Sequence, residues 1–135
     1  MKRSMTIAVP VLALSTLLFS CKKADTLPQA TSHHETAKIT INTPYENQLF
    51  SAGDTVFVKA FVTCATEMHG CSVYIIRNNA DTLFTKAQHM HGKEMMVSEQ
   101  WVNNQGTPGD LQVVVSAVID HDGATADKAI AFKAQ

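Results

Sequence analysis

The sequence predicts an all-β domain built as a two-sheet sandwich, and three observations predict it. From Lys38 onward apolar and polar residues alternate with period two, with no sustained 3.6-residue spacing. The alternation falls into seven short runs. Clusters of Asn, Asp, Gly and Pro divide those runs at a spacing that favours a sandwich over a barrel.

Ile39 and Ile41 make a first short strand, followed by a turn region marked by Pro44, Asn47, Gly53 and Asp54. Residues 55–64 set Val56, Val58, Ala60 and Val62 on one face and Lys59 and Thr63 on the other, as a half-buried strand requires. Phe57 and Phe61 fall on the outer face, where they cover an edge or meet a partner. Residues 72–77 are rich in β-branched and aromatic side chains, and Asn78-Asn79-Ala80-Asp81 turns them into residues 82–87. After His89-Met90-His91-Gly92, residues 93–102 carry Met95, Val97 and Trp101 on one face. A loop over residues 103–110 leads to residues 111–119, whose Leu111, Val113, Val115, Ala117 and Ile119 mark a central strand. Asp122-Gly123 then closes a hairpin into residues 125–133, with Ile130 and Phe132 pointing inward.

Three stretches carry a resemblance over nearly the whole chain from Lys38 on. Ile39-Thr40-Ile41-Asn42-Thr43-Pro44, Gly53-Asp54-Thr55-Val56 and Val118-Ile119-Asp120-His121-Asp122-Gly123 resemble the opening and closing strands of bacterial Ig-like domains. The chain is similar to the short Ig-like lipoproteins of the Bacteroidota. The resemblance implies a seven-stranded Ig-like or fibronectin-type β-sandwich over residues 38–135, and it says little of activity, since fold does not determine function.

The start of the chain reads as an address rather than as part of the fold. In residues 1–20, Lys2 and Arg3 precede an apolar stretch from Ile7 to Phe19, the pattern of an export signal. That stretch is shorter than the roughly 20 residues of a permanent span, and Pro10 interrupts it. Leu18-Phe19-Ser20-Cys21 resembles a bacterial lipobox, although Phe19 stands where a smaller residue is commoner, and Cys21-Lys22-Lys23 is similar to the start of Bacteroidota lipoproteins. Lipidation of Cys21 is thereby implied, with the membrane held through acyl chains. The expected place is the bacterial outer membrane, facing the periplasm or the cell surface. Residues 21–37 contain Pro28, Ser, Thr, Gln and Ala and form a flexible linker, with His33 and His34 near its end as solvated residues or as donors lent to the domain.

Cleavage after residue 20 leaves 115 residues, enough for one domain. It also removes Lys2 and Arg3 and takes the formal charge from -1 to -3. Nucleic acid, which calls for a clustered basic face, is excluded as a partner.

Chemistry concentrates in the histidines. His69, His89, His91 and His121 lie in every second connection, and a chain that zigzags up and down puts every second connection at the same end. Neutral imidazoles from three loops can hold copper or zinc, with Asp120 and Asp122 as ligands or as partners of the rings. Met68 and Met90 add soft sulfur, which tilts the choice toward copper. The alternative is that the histidines cap loop carbonyls and no ion is involved.

Cys64 and Cys71 border the connection that holds His69. Outside the cytoplasm they are expected to form a disulfide, the competing use being a thiolate copper(I) site with Met68 and His69. Asp120-x-Asp122-Gly123 opens like a calcium loop, but Ala124 stands at an expected ligand position and no glutamate closes it, so a hairpin turn is expected. No nucleophile elbow, phosphate-cradling glycine loop or catalytic carboxylate pair is present, and catalysis is not expected. The expected function is a membrane-anchored binding module with copper or zinc at the histidine tip. The alternative is an envelope protein-interaction module that presents Phe57, Phe61 and Tyr74 to a partner.

Overall fold

The computed structural model describes residues 37–135. The signal segment of residues 1–20, Cys21, and the linker with His33 and His34 lie outside the described residues. Eight strands follow in order: β1 (Lys38–Thr43), β2 (Leu49–Phe50), β3 (Thr55–Met68), β4 (Gly70–Arg77), β5 (Asp81–Gln88), β6 (Gly92–Val102), β7 (Gly109–Val118) and β8 (Thr125–Ala134). They form a three-stranded sheet ordered β1-β3-β6 and a five-stranded sheet ordered β2-β8-β7-β4-β5.

The two sheets exist because the alternation gives each strand one apolar side. Val56, Val58, Ala60 and Val62 of β3 are buried, as are Met95 and Val97 of β6. From the other sheet Val73 and Ile75 of β4 and Leu111, Val113, Val115 and Ala117 of β7 meet them, and Phe132 of β8 joins the same core. Full burial of each such side chain is worth about 1.5–3 kcal/mol, so the two inward faces supply the main driving force for closure of the sandwich. The long ladders β3·β6 and β4·β7 are antiparallel and in register from Val56↔Trp101 to Thr63↔Glu94 and from Gly70↔Val118 to Arg77↔Leu111. Asn78 and Asn79 adopt positive φ of 51° and 58°, which lets the tight turn between β4 and β5 match the twist of its strands.

Two differences from the expected strands bear on function. The eighth strand is β2, whose two residues pair in parallel with Lys133 and Ala134 of β8; a two-residue strand has no period to read. The second concerns β3, which does not end near Cys64 but continues past a register shift to Met68. The expected loop between β3 and β4 therefore shrinks to His69 alone. Cys-Ala-Thr-Glu-Met breaks the apolar alternation because of that irregularity, while the chain stays extended.

The expected Cys64–Cys71 disulfide is not formed: both cysteines are free and buried. With no loop to close, Cys64 faces inward from the three-stranded sheet and Cys71 from the five-stranded one. Their sulfurs have separate partners, Cys64 Sγ lying 3.6 Å from Thr66 Oγ1 and Cys71 Sγ donating to Ser72 O at 3.8 Å. Among the described residues no helix is long and apolar enough to cross a membrane.

Candidate metal centre

The strand directions bring the four domain histidines to one end. β3 is antiparallel to β6, β4 to β5 and β7, and β7 to β8. The β3–β4, β5–β6 and β7–β8 connections thus share a pole, and β2, parallel to β8, does not disturb the count.

At that pole the rings touch. His69 Nδ1 and His91 Nδ1 are 3.2 Å apart, with ring centroids at 5.1 Å and planes nearly perpendicular. His89 stands edge-on to His91 at 4.8 Å. His121 lies against the face of His69, centroids 3.8 Å apart and planes tilted by 38°. Loss of hydration and then the neighbouring His121 and His91 push the His69 pKa below its ordinary value, against a weaker upward pull from Glu67 and Asp120. That combination favours a neutral imidazole, the form that binds metals.

The backbone around these rings is tightly held. His69 N donates to Val118 O at 2.9 Å, which ties the β3–β4 corner to the end of β7. Gly70 packs so close to the β5 end that a Cβ there would sit 2.7 Å from Gln88 O. Gln88 Nε2 in turn donates to Glu99 Oε1 at 2.6 Å, linking the two strands that flank His89 and His91. Below His121, Asp120 Oδ1 accepts from Ala124 N at 2.9 Å and Gly123 takes φ of 85°. Asp120 therefore shapes the hairpin turn, as expected of Asp120-x-Asp122-Gly123.

Three sequence expectations change on this geometry. Met68 is 1% exposed and belongs to the core, so its sulfur is not offered at the tip, and half-buried Met90 packs against that core. Burial pushes the Cys71 thiol up to about 11, which disfavours the thiolate a copper(I) site would need. A carboxylate beside the rings that the sequence did not announce is Glu67, whose Oε1 is 3.6 Å from His91 Nδ1; Asp120 also acts on His69 electrostatically. Sequence reasoning passed over Glu67 because it sat in a presumed loop; its place two residues before His69 was the available signal. Among the described residues, no three His, Cys, Asp or Glu side chains already stand in position around one ion. The rings and carboxylate must therefore rotate to close a site, and the exposure of His91 and Glu67, 49% and 60%, leaves them room to do so.

No protein-family model matches the chain, and no curated protein matches it. Among solved structures it is similar to the fibronectin(III)-like modules of CbhA from Clostridium thermocellum, with TM-score 0.51 and 16% identity over 72% of this chain and 94% of that one. It is also similar to CopC from Methylosinus trichosporium OB3b, with TM-score 0.43 and 13% identity over 76% and 94% of the two chains. For the CARDB domain from Pyrococcus furiosus the TM-score is 0.43 and the identity 11% over 73% and 96%. At such identities the likeness concerns architecture alone, and the architecture is an immunoglobulin/fibronectin-III-like β-sandwich.

Proposed function

We propose that this chain is an exported, lipid-anchored binding module of the bacterial envelope whose histidine tip takes up one ion of zinc or copper. A single observation carries the metal: two ring nitrogens of the same type, His69 Nδ1 and His91 Nδ1, face each other at 3.2 Å. Two bare lone pairs at that distance repel, so a positive group belongs between them, either a ring proton or a metal ion. Tetrahedral zinc with Zn–N bonds of 2.0–2.1 Å sets its nitrogens about 3.3–3.4 Å apart and two singly bound rings about 5 Å apart. The separations here, 3.2 and 5.1 Å, lie near those values. The anchor rests on Leu18-Phe19-Ser20-Cys21, and the preference for binding over catalysis rests on the sequence, which carries neither a nucleophile elbow nor a phosphate-cradling glycine loop.

The test is calorimetric titration of the purified mature chain, reduced and stripped with chelator, with zinc and with copper(II). About one equivalent binds to the wild type, and the His69→Ala/His91→Ala double variant takes up none. Failure of the wild type to bind either ion refutes the metal reading. For the anchor, the wild type partitions into detergent and Cys21→Ala into the aqueous phase; an aqueous wild type refutes lipidation.

A second reading is favoured by the outer face of the three-stranded sheet. Phe57 is 52% exposed, and Phe61 pairs across the ladder with Met96, which is 78% exposed. An envelope protein partner would meet that face. Tyr74 does not belong with it, because Tyr74 sits on β4 in the other sheet. Crosslinking in membranes separates the readings: a partner lost on Phe57→Ser and indifferent to chelator favours the interaction module.

A further inference from the structure

Glu67 is exposed at the end of β3, two residues before His69, the single residue of the β3–β4 corner, while Met68 between them turns into the core. The carboxylate is thereby delivered to the tip by the end of β3. Its Oε1 lies 3.6 Å from His91 Nδ1, which is also the nitrogen that faces His69 Nδ1 at 3.2 Å. Three donor atoms on three side chains thus meet around His91.

We propose that Glu67 is a ligand, completing with Nδ1 of His69 and of His91 a two-histidine, one-carboxylate site for a divalent ion of the zinc class. This rests on the metal reading above and narrows it. In a tetrahedral zinc site a nitrogen and a carboxylate oxygen stand about 3.4 Å apart, close to the 3.6 Å separation here. Cuprous ion is disfavoured because it selects thioether and thiolate donors. Met68 and Cys71 are both buried in the core.

The remaining histidines divide on the same geometry. Rings that share a tetrahedral ion stand about 5 Å apart. His89, edge-on to His91 at 4.8 Å, is placed for the fourth position. His121, face to face with His69 at 3.8 Å, is too close to share the ion and serves as a wall that holds the His69 ring.

The experiment is titration of the mature chain with zinc, comparing wild type, Glu67→Gln and, as a control, Asp122→Asn, together with the visible spectrum of the cobalt(II)-loaded protein. Glu67→Gln keeps the shape and loses the charge at an exposed position, so the fold is retained, which circular dichroism verifies. Zinc affinity in Glu67→Gln falls at least about tenfold and the cobalt band shifts, while Asp122→Asn matches the wild type; second-shell losses alone reach that size. Equal zinc affinity and an unchanged cobalt spectrum in Glu67→Gln overturn the assignment and leave the histidine site standing. A wild-type chain that takes up no zinc overturns both.

Discussion

His69 Nδ1 and His91 Nδ1 stand 3.2 Å apart although their residues are 22 positions apart in the chain. Without an ion, one of the two nitrogens must carry a proton and donate it to the other. A metal that displaces this proton would bridge the same two nitrogens, so in the proposed site these two rings are the donors already facing each other.

The histidines should therefore be unequal. His69→Ala and His91→Ala each weaken zinc binding by a hundredfold or more, roughly 2.7 kcal/mol, because each removes a preset donor. His121→Ala costs less than about tenfold, since only the stacking against His69 is lost. Calorimetry on the single variants measures the order, and four equal losses would restore the four-ligand arrangement expected from strand parity.

Gly70 is the backbone position on which the pole depends. In Gly70→Ala the new Cβ meets Gln88 O at 2.7 Å, with Gly70 itself at φ of 152°. The β5 end must shift, moving the approach to His89. The variant is expected to lose about 1–3 kcal/mol of stability in urea unfolding and to bind zinc more weakly. An unchanged unfolding midpoint would show that the contact relaxes freely.

Asn103 performs the corresponding task away from the rings. It is fully buried, its Nδ2 donates to Phe50 O and Ser51 O at 3.2 and 3.0 Å, and its Oδ1 accepts from Gln105 N at 3.2 Å. Asn103→Ala removes all three bonds; Phe50 O and Ser51 O keep Gln135 N and Asp54 N as donors while Gln105 N loses its acceptor, and the expected cost is about 1–3 kcal/mol. Zinc affinity of the folded variant remains that of the wild type, because β2 and the loop after β6 lie at the other pole.

The cysteines predict a pH effect. Burial raises the Cys71 pKa from its ordinary 9.0 to about 11, so between those values the folded chain keeps a proton that the unfolded chain releases. The corresponding stability is intact below pH 9.0 and is lost as pH rises toward about 11. Urea midpoints at both ends of this window should differ more for wild type than for Cys71→Ala. Without reductant, both Cys64 and Cys71 should react with iodoacetamide quickly in urea and slowly when folded; a pair that stays unreactive in urea would be a disulfide.

Much of the architecture was legible because a strand must place alternate side chains on opposite faces. Val56, Val58, Ala60 and Val62, and Leu111, Val113, Val115, Ala117 and Ile119, could be assigned inward from their period alone, and each is buried. β2 and the far end of β3 were not legible: one is too short to show a period, and the other is interrupted by a bulge that hides Glu67 inside an apparent loop. Asn103 looked like one more loop amide, since nothing local announces that its partners lie 53 and 52 positions earlier.

The sequence by itself determined which faces turn inward and, through the direction of successive strands, that the β3–β4, β5–β6 and β7–β8 connections end at one pole. Those are consequences of a two-residue period, which is local. Only the tertiary structure decided that the strands divide three and five, that Cys64 and Cys71 stay apart, and which ring edges face one another at that pole. These depend on pairing and packing between distant segments, where a few tenths of an ångström separate a shared ion from mere stacking, and no spacing along the chain encodes such distances.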